Sequence, residues 1–89
     1  MISEQDKSVI VDTARRYKAS GIYLFGSSAN PDREGRDIDL GVEGIAPHEF
    51  FLFYGELIFG LSKEVDIVDL SQPGKFTDMI RQEGVRIYG

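Results

Sequence analysis

The 89-residue sequence predicts an α/β (α+β) fold, a small mixed β-sheet with helices packed mainly on one face. Three observations predict it. Apolar residues recur at helical spacing after Ser3, several short segments carry strand chemistry, and the order reads α-β-β-α-β-α-(β).

The elements follow in order. Ser3 reads as an N-cap, with Glu4 and Asp6 in the first helical turn where the positive end of the helix favours acids. Val9, Ile10, Thr13, Ala14 and Tyr17 then share one face, which predicts a helix over about Glu4 to Ala19 with Gly21 as its stop. Gly21-Ile22-Tyr23-Leu24-Phe25 is a short apolar run of aromatic and branched residues, hence a buried strand ending at Gly26. Ser27 to Arg36 is loop chemistry, with Asn30-Pro31-Asp32 and Gly35. Asp37 to Val42 alternates polar and apolar, so Ile38, Leu40 and Val42 share one face of a strand and both aspartates the other. Pro47 opens a second helix to about Leu61, where Phe50, Phe51, Phe53, Tyr54, Leu57, Ile58 and Phe59 read as mostly core, with an exposed remnant suited to association. Glu64 to Leu70 is a third strand. Pro73 opens a last helix through about Glu83, Gly84 ends it, and Val85 to Tyr88 is a closing strand or extended tail.

Composition narrows the function classes. A chain of this length is a single domain, residues 1–89, with a modest core. It has no cysteine, which excludes a disulfide framework and a thiolate zinc site and fits an intracellular location. No apolar run of signal-peptide or membrane-spanning kind occurs, so a soluble cytoplasmic protein without a membrane partner is expected. The 15 acidic and 10 basic residues give a net charge of -5, and the basic ones are scattered. Nucleic acid is therefore disfavoured as a partner. A nucleotide is not, because a bound metal ion reverses the local sign of charge.

The chemistry concentrates in two places. Asp37 and Asp39 lie two apart on a strand, on the same side and roughly 6–7 Å apart along the backbone. Carboxylates so placed raise each other's pKa unless a cation sits between them. Magnesium takes a few carboxylate oxygens plus phosphate oxygens. A third acid on a neighbouring strand would complete such a site; Asp66 and Asp69 are the candidates, on opposite faces of their strand, so only one can serve. Gly26-Ser27, straight after a buried strand, supplies a backbone N–H with close access to an anion and a hydroxyl donor.

Phe25-Gly26-Ser27, nine residues, then Asp37-Ile38-Asp39-Leu40 resembles the signature of the DNA polymerase beta-like nucleotidyltransferase superfamily. The segment GSSANPDREGRDIDL, the later VDIVDL and the ending RQEGVRIYG are similar to its minimal nucleotidyltransferase (MNT) group, which covers nearly the whole chain. The resemblance implies the nucleotidyltransferase fold. It implies that Asp37, Asp39 and Asp66 hold Mg2+ and act in catalysis, with Asp66 helping to deprotonate the acceptor, and that Gly26 and Ser27 hold the triphosphate. It further implies ATP as the substrate and a helical HEPN-type partner protein in a toxin–antitoxin pair, with AMP passed to a hydroxyl of that partner. Two departures stand out. Members of the group often read Ala-Arg-Gly where this chain has Ala29-Asn30-Pro31, and a serine where it has Arg36. The missing arginine removes a phosphate or transition-state contact that Arg33 or Arg36 would have to replace.

Plainer readings compete at each position. The aspartates alone fit ion pairs with Arg33 or Arg36, Gly26-Ser27 alone fits an ordinary turn, and an acid such as Asp66 fits a solvated strand face. Their combination at this spacing favours the nucleotidyltransferase reading. His48, Lys63 and Lys75 carry no motif and are assigned to the surface. The rival class is a non-catalytic, antitoxin-like subunit that binds a nucleotide or a partner. A weaker option is transfer to a small molecule such as an aminoglycoside. The chain ends five residues after Gly84, which leaves the helical acceptor-binding part of larger relatives to a partner or to a second copy.

Overall fold

A computed structural model describes residues 2–32 and 35–89. Helix α1 spans Glu4–Arg16, and the Ser3 hydroxyl accepts the Asp6 N–H at 3.1 Å as the N-cap. Ile10, Thr13 and Ala14 are buried on its inner face. The helix ends sooner than its periodicity predicts. Lys18 adopts φ 60°, its N–H donates to Arg15 O at 3.2 Å, and the Ala19 N–H donates to Ala14 O at 2.9 Å. That pair of bonds is a Schellman closure with lysine in the left-handed position glycine usually fills. Lys18, not Gly21, is the stop.

The strands β1 (Gly21–Leu24), β2 (Asp37–Glu43), β3 (Glu64–Asp69) and β4 (Val85–Tyr88) form one sheet in the order β3-β2-β1-β4. β1 runs antiparallel to β2 and to β4, whereas β2 and β3 are parallel. Parallel neighbours need a crossover, and helix α2 (Phe50–Gly60) provides it. Pro47 starts a 3-10 turn over Pro47–Glu49 that feeds α2, so the second predicted helix divides in two. Helix α3 covers Lys75–Glu83; Gly74, at φ 156°, is its N-cap and Pro73 lies just outside. The closing segment is a true edge strand, and Arg86 holds it by donating to Ser20 O at 3.1 Å and lying over the Tyr23 ring.

Two of the three helices share one face of the sheet. There Ile10 and Ala14 of α1 and Phe53 and Leu57 of α2 pack on Ile22, Leu24, Ile38, Leu40, Val42 and Val65. Asp6, buried, ties the two layers by accepting the backbone N–H and the hydroxyl of Ser62 at 3.1 and 2.6 Å. On the other face α3 brings Ile80 onto Tyr23 and Leu70.

The aromatic run of α2 departs from expectation. Only Phe53 and Leu57 are fully buried, while Phe51, Leu52, Ile58 and Phe59 are exposed. A helix apolar on all sides can bury only the side that meets the sheet.

Coverage by α3 is partial, and this decides where chemistry can occur. A Cβ on Gly41 would lie 2.8 Å from Ile80 Cγ2 and 3.0 Å from Leu70 Cδ1. Helix α3 therefore closes on the second half of β2, and the half carrying Asp37 and Asp39 stays open.

Candidate active site

Strand alternation sends Ile38, Leu40 and Val42 into the main core and turns Asp37 and Asp39 to the opposite face. The parallel register then sets Asp39 directly opposite Asp66, and Asp37 opposite Glu64. Neighbouring strands lie about 4.8 Å apart, so the four acids form one block. Asp69 falls elsewhere. It stands opposite Val42 at the far end of β3, and its Oδ1 accepts the Ser71 N–H at 2.9 Å, closing a turn.

The turn after β1 lies against this block. Gly26 opens the 3-10 turn Gly26–Ala29 at φ 61°, and a Cβ there would lie 2.8 Å from Asp39 Oδ2. Both the backbone angle and the space favour glycine. The Phe25 N–H donates to Asp39 O at 3.2 Å, locking the turn to β2. Ser27 Oγ sits where a Cβ on Gly35 would come, at 2.2 Å, so its hydroxyl abuts the loop that leads into the aspartates.

Ser28 is the residue that motif reading passes over. It is buried, its Oγ accepts the Asp39 N–H at 3.0 Å, and it donates to Asp37 O at 3.3 Å. One hydroxyl thus fixes the backbone on both sides of Ile38. Lys63 also does more than cover surface, since its Nζ donates to Gly35 O at 2.9 Å and anchors the same loop. Of the two candidate arginines, Arg33 lies outside the described residues and Arg36 is exposed. Asn30 Oδ1 accepts the Asp32 N–H at 2.9 Å, which makes Asn30-Pro31-Asp32 a side-chain-stabilised turn.

Electrostatics mark Asp39 out. Burial pushes its carboxyl above the ordinary carboxylate range, and the carboxylates of Asp66 and then Asp37 push it further. Asp39 therefore feels the charge of both neighbouring acids. Among the described residues, no group of three His, Cys, Asp or Glu side chains is drawn in tightly enough to hold an ion unaided. The acids supply oxygen donors of the kind a hard cation takes, and a cation there would need phosphate and water to complete its shell. A caged, all-protein metal site does not fit.

Comparison with known proteins gives the family and the fold. Residues 8–89 match the family model "Polymerase beta, Nucleotidyltransferase". No curated protein sequence matches the chain. Among solved structures it is similar to a toxin–antitoxin crystal structure with AMP-PNP, at TM-score 0.73 and 24% identity over 93% of this chain and 73% of that one. It is similar also to the toxin–antitoxin MntA–HepT, at TM-score 0.70 and 24% identity over 98% and 73%. A third likeness is to a minimal nucleotidyltransferase, at TM-score 0.70 and 25% identity over 89% and 86%.

Proposed function

Since the chain belongs to the polymerase beta nucleotidyltransferase family, we propose that it transfers AMP from ATP to a hydroxyl of a partner protein, a helical HEPN-type protein of a toxin–antitoxin pair. The observation that carries this reading is the register of Asp39 opposite Asp66, with Asp37 two residues earlier and Gly26-Ser27 alongside. Support for the nucleotide comes from the AMP-PNP in one similar toxin–antitoxin structure, and support for the partner from the MntA–HepT pairing in another.

In this reading Asp37, Asp39 and Asp66 would hold Mg2+ together with the triphosphate. When bound, the metal neutralises phosphate charge and stabilises the attacking and leaving oxygens of an in-line displacement. Gly26 N–H and Ser27 Oγ receive the outer phosphates. The acceptor oxygen forms its bond to the α-phosphorus as the bond to the bridging oxygen breaks and pyrophosphate leaves. Asp66, on the open side of the block, takes the hydroxyl proton. Ser28 acts at one remove, by holding the backbone of both aspartates.

The loop favours a second reading. With Asn30-Pro31 in place of an arginine-glycine pair, those two positions offer no charge to the phosphates, and a binding subunit without turnover needs none. Radiolabelled ATP with Mg2+ and a helical HEPN-type partner protein separates the two. Transfer of label to that protein, abolished in Asp39→Ala while the complex persists, is expected. An intact complex without label assigns the chain to the non-catalytic class.

A further inference from the structure

The outward side of α2 carries Phe51, Leu52, Gly55, Ile58 and Phe59, with Phe51 86% and Phe59 93% exposed. At 3.6 residues per turn these five fall within about a third of the helix circumference. Gly55 is at the centre of the stripe. The inner side is occupied separately, by Phe53 and Leu57 in the core and by Gly60, whose added Cβ would meet Val9 at 2.8 Å. The outward stripe is thus surplus to the fold.

The stripe is symmetric in apolar character about Gly55. Phenylalanine stands four residues before and four after, and Leu52 and Ile58 stand three before and three after. When two antiparallel helices cross on a two-fold axis, a residue n positions before the crossing meets the one n positions after it in the other copy. A crossing at Gly55 therefore sets Phe51 on Phe59 of the second copy, and Leu52 on its Ile58. Gly55 itself has no task within the chain, because a Cβ there would meet nothing within 4 Å. Glycine is a poor helix former, but its bare surface lets a second backbone approach closely.

We propose that this face of α2 is a homodimer interface, with a second copy of the chain crossing antiparallel at Gly55. The four large side chains together expose about 500 Å² per copy, or about 1,000 Å² across the pair, which reaches the lower bound for a specific interface. The stripe contains no charged side chain. Two chains of net charge -5 repel at a distance, so added salt strengthens the pair by screening. Asp37 and Asp39 lie on the sheet face opposite α2, whereas Glu64 and Asp66, on the edge strand, line a groove shared with Phe51, Gly55 and Ile58.

Sedimentation equilibrium tests the proposal. Wild type at about 50 µM is expected at twice its 10.0 kDa chain mass, with a Kd in the micromolar range that tightens as salt is raised. Gly55→Leu and Phe59→Glu are each expected to sediment as single chains. Gly55→Leu keeps or raises the melting temperature, because its side chain enters open space, which separates loss of pairing from loss of folding. A single-chain mass for wild type, or an undiminished dimer in Gly55→Leu, overturns the proposal. A monomeric wild type whose binding to a helical partner is lost in Phe59→Glu also overturns it, and gives the face to that partner instead.

Discussion

Asp39 is held in the folded chain at a cost. Burial first, then the charges of Asp66 and Asp37, make its ionised form less favourable than in the unfolded chain. The folded state therefore binds the Asp39 proton more tightly. Its contribution to stability is greatest below the ordinary carboxylate range and is lost as pH rises through the raised folded value. Asp39→Asn removes that charge and is expected to raise the Tm of the free protein at neutral pH, measured by calorimetry. The same variant loses transfer by at least about 10²-fold. Ser28→Ala is expected to cost about 1–2 kcal/mol in chemical denaturation, since the Asp39 N–H then loses its acceptor. Transfer should fall with it, by about tenfold, as the aspartates lose their fixed backbone. The aspartates were legible in the sequence because a period of two sorts them onto one face, and nothing else about them needs the fold. The residues alone leave Asp66 and Asp69 open and the family resemblance favours Asp66; that Asp66 stands opposite Asp39 follows from the parallel register, which no local pattern encodes. Ser28 was not legible because both of its bonds reach backbone on another strand.

Among the elements, type and order were read correctly, and the departures lie at the ends. Helix α1 stops at a lysine in the left-handed region, a conformation that costs a non-glycine residue about 1–2 kcal/mol. Periodicity cannot report it, because Tyr17 and Ala19 continue the apolar pattern past the last helical turn. Lys18→Gly is expected to stabilise the domain by about 1 kcal/mol, measured as a higher urea midpoint at unchanged m-value. A drop in stability would mean that the Lys18 side chain contributes more than its backbone costs. Helix α2 shows a different limit. Its hydrophobicity predicted a mostly buried element with an exposed remnant, and the remnant is larger than expected: a crossover helix on a three-layer domain has only one side to bury, and the sequence alone did not say which residues that side would take. The edge of β3 is covered from the same helix. Tyr54 donates its hydroxyl to Val65 O at 3.2 Å and accepts the Ile67 N–H at 3.4 Å, standing where a further strand would pair.

For the molecule as a whole, the sheet divides the labour. Its main core face, under α1 and α2, supplies most of the buried apolar surface. Its other face is shared between α3 at one end and four acids at the other. Leaving those acids together, with no ion pair to them among the described residues, makes sense in a small acidic domain if a cation and a nucleotide complete the site. Isothermal titration of AMP-PNP into the chain, with Mg2+ and then with chelator, is the most direct measurement of that claim. Binding is expected to weaken at least about tenfold without the metal, a loss of about 1.4 kcal/mol or more, and to be weak in Asp39→Asn whether or not Mg2+ is present. Equal affinity with and without Mg2+, or an Asp39→Asn variant that still responds to the metal as wild type does, would contradict the account.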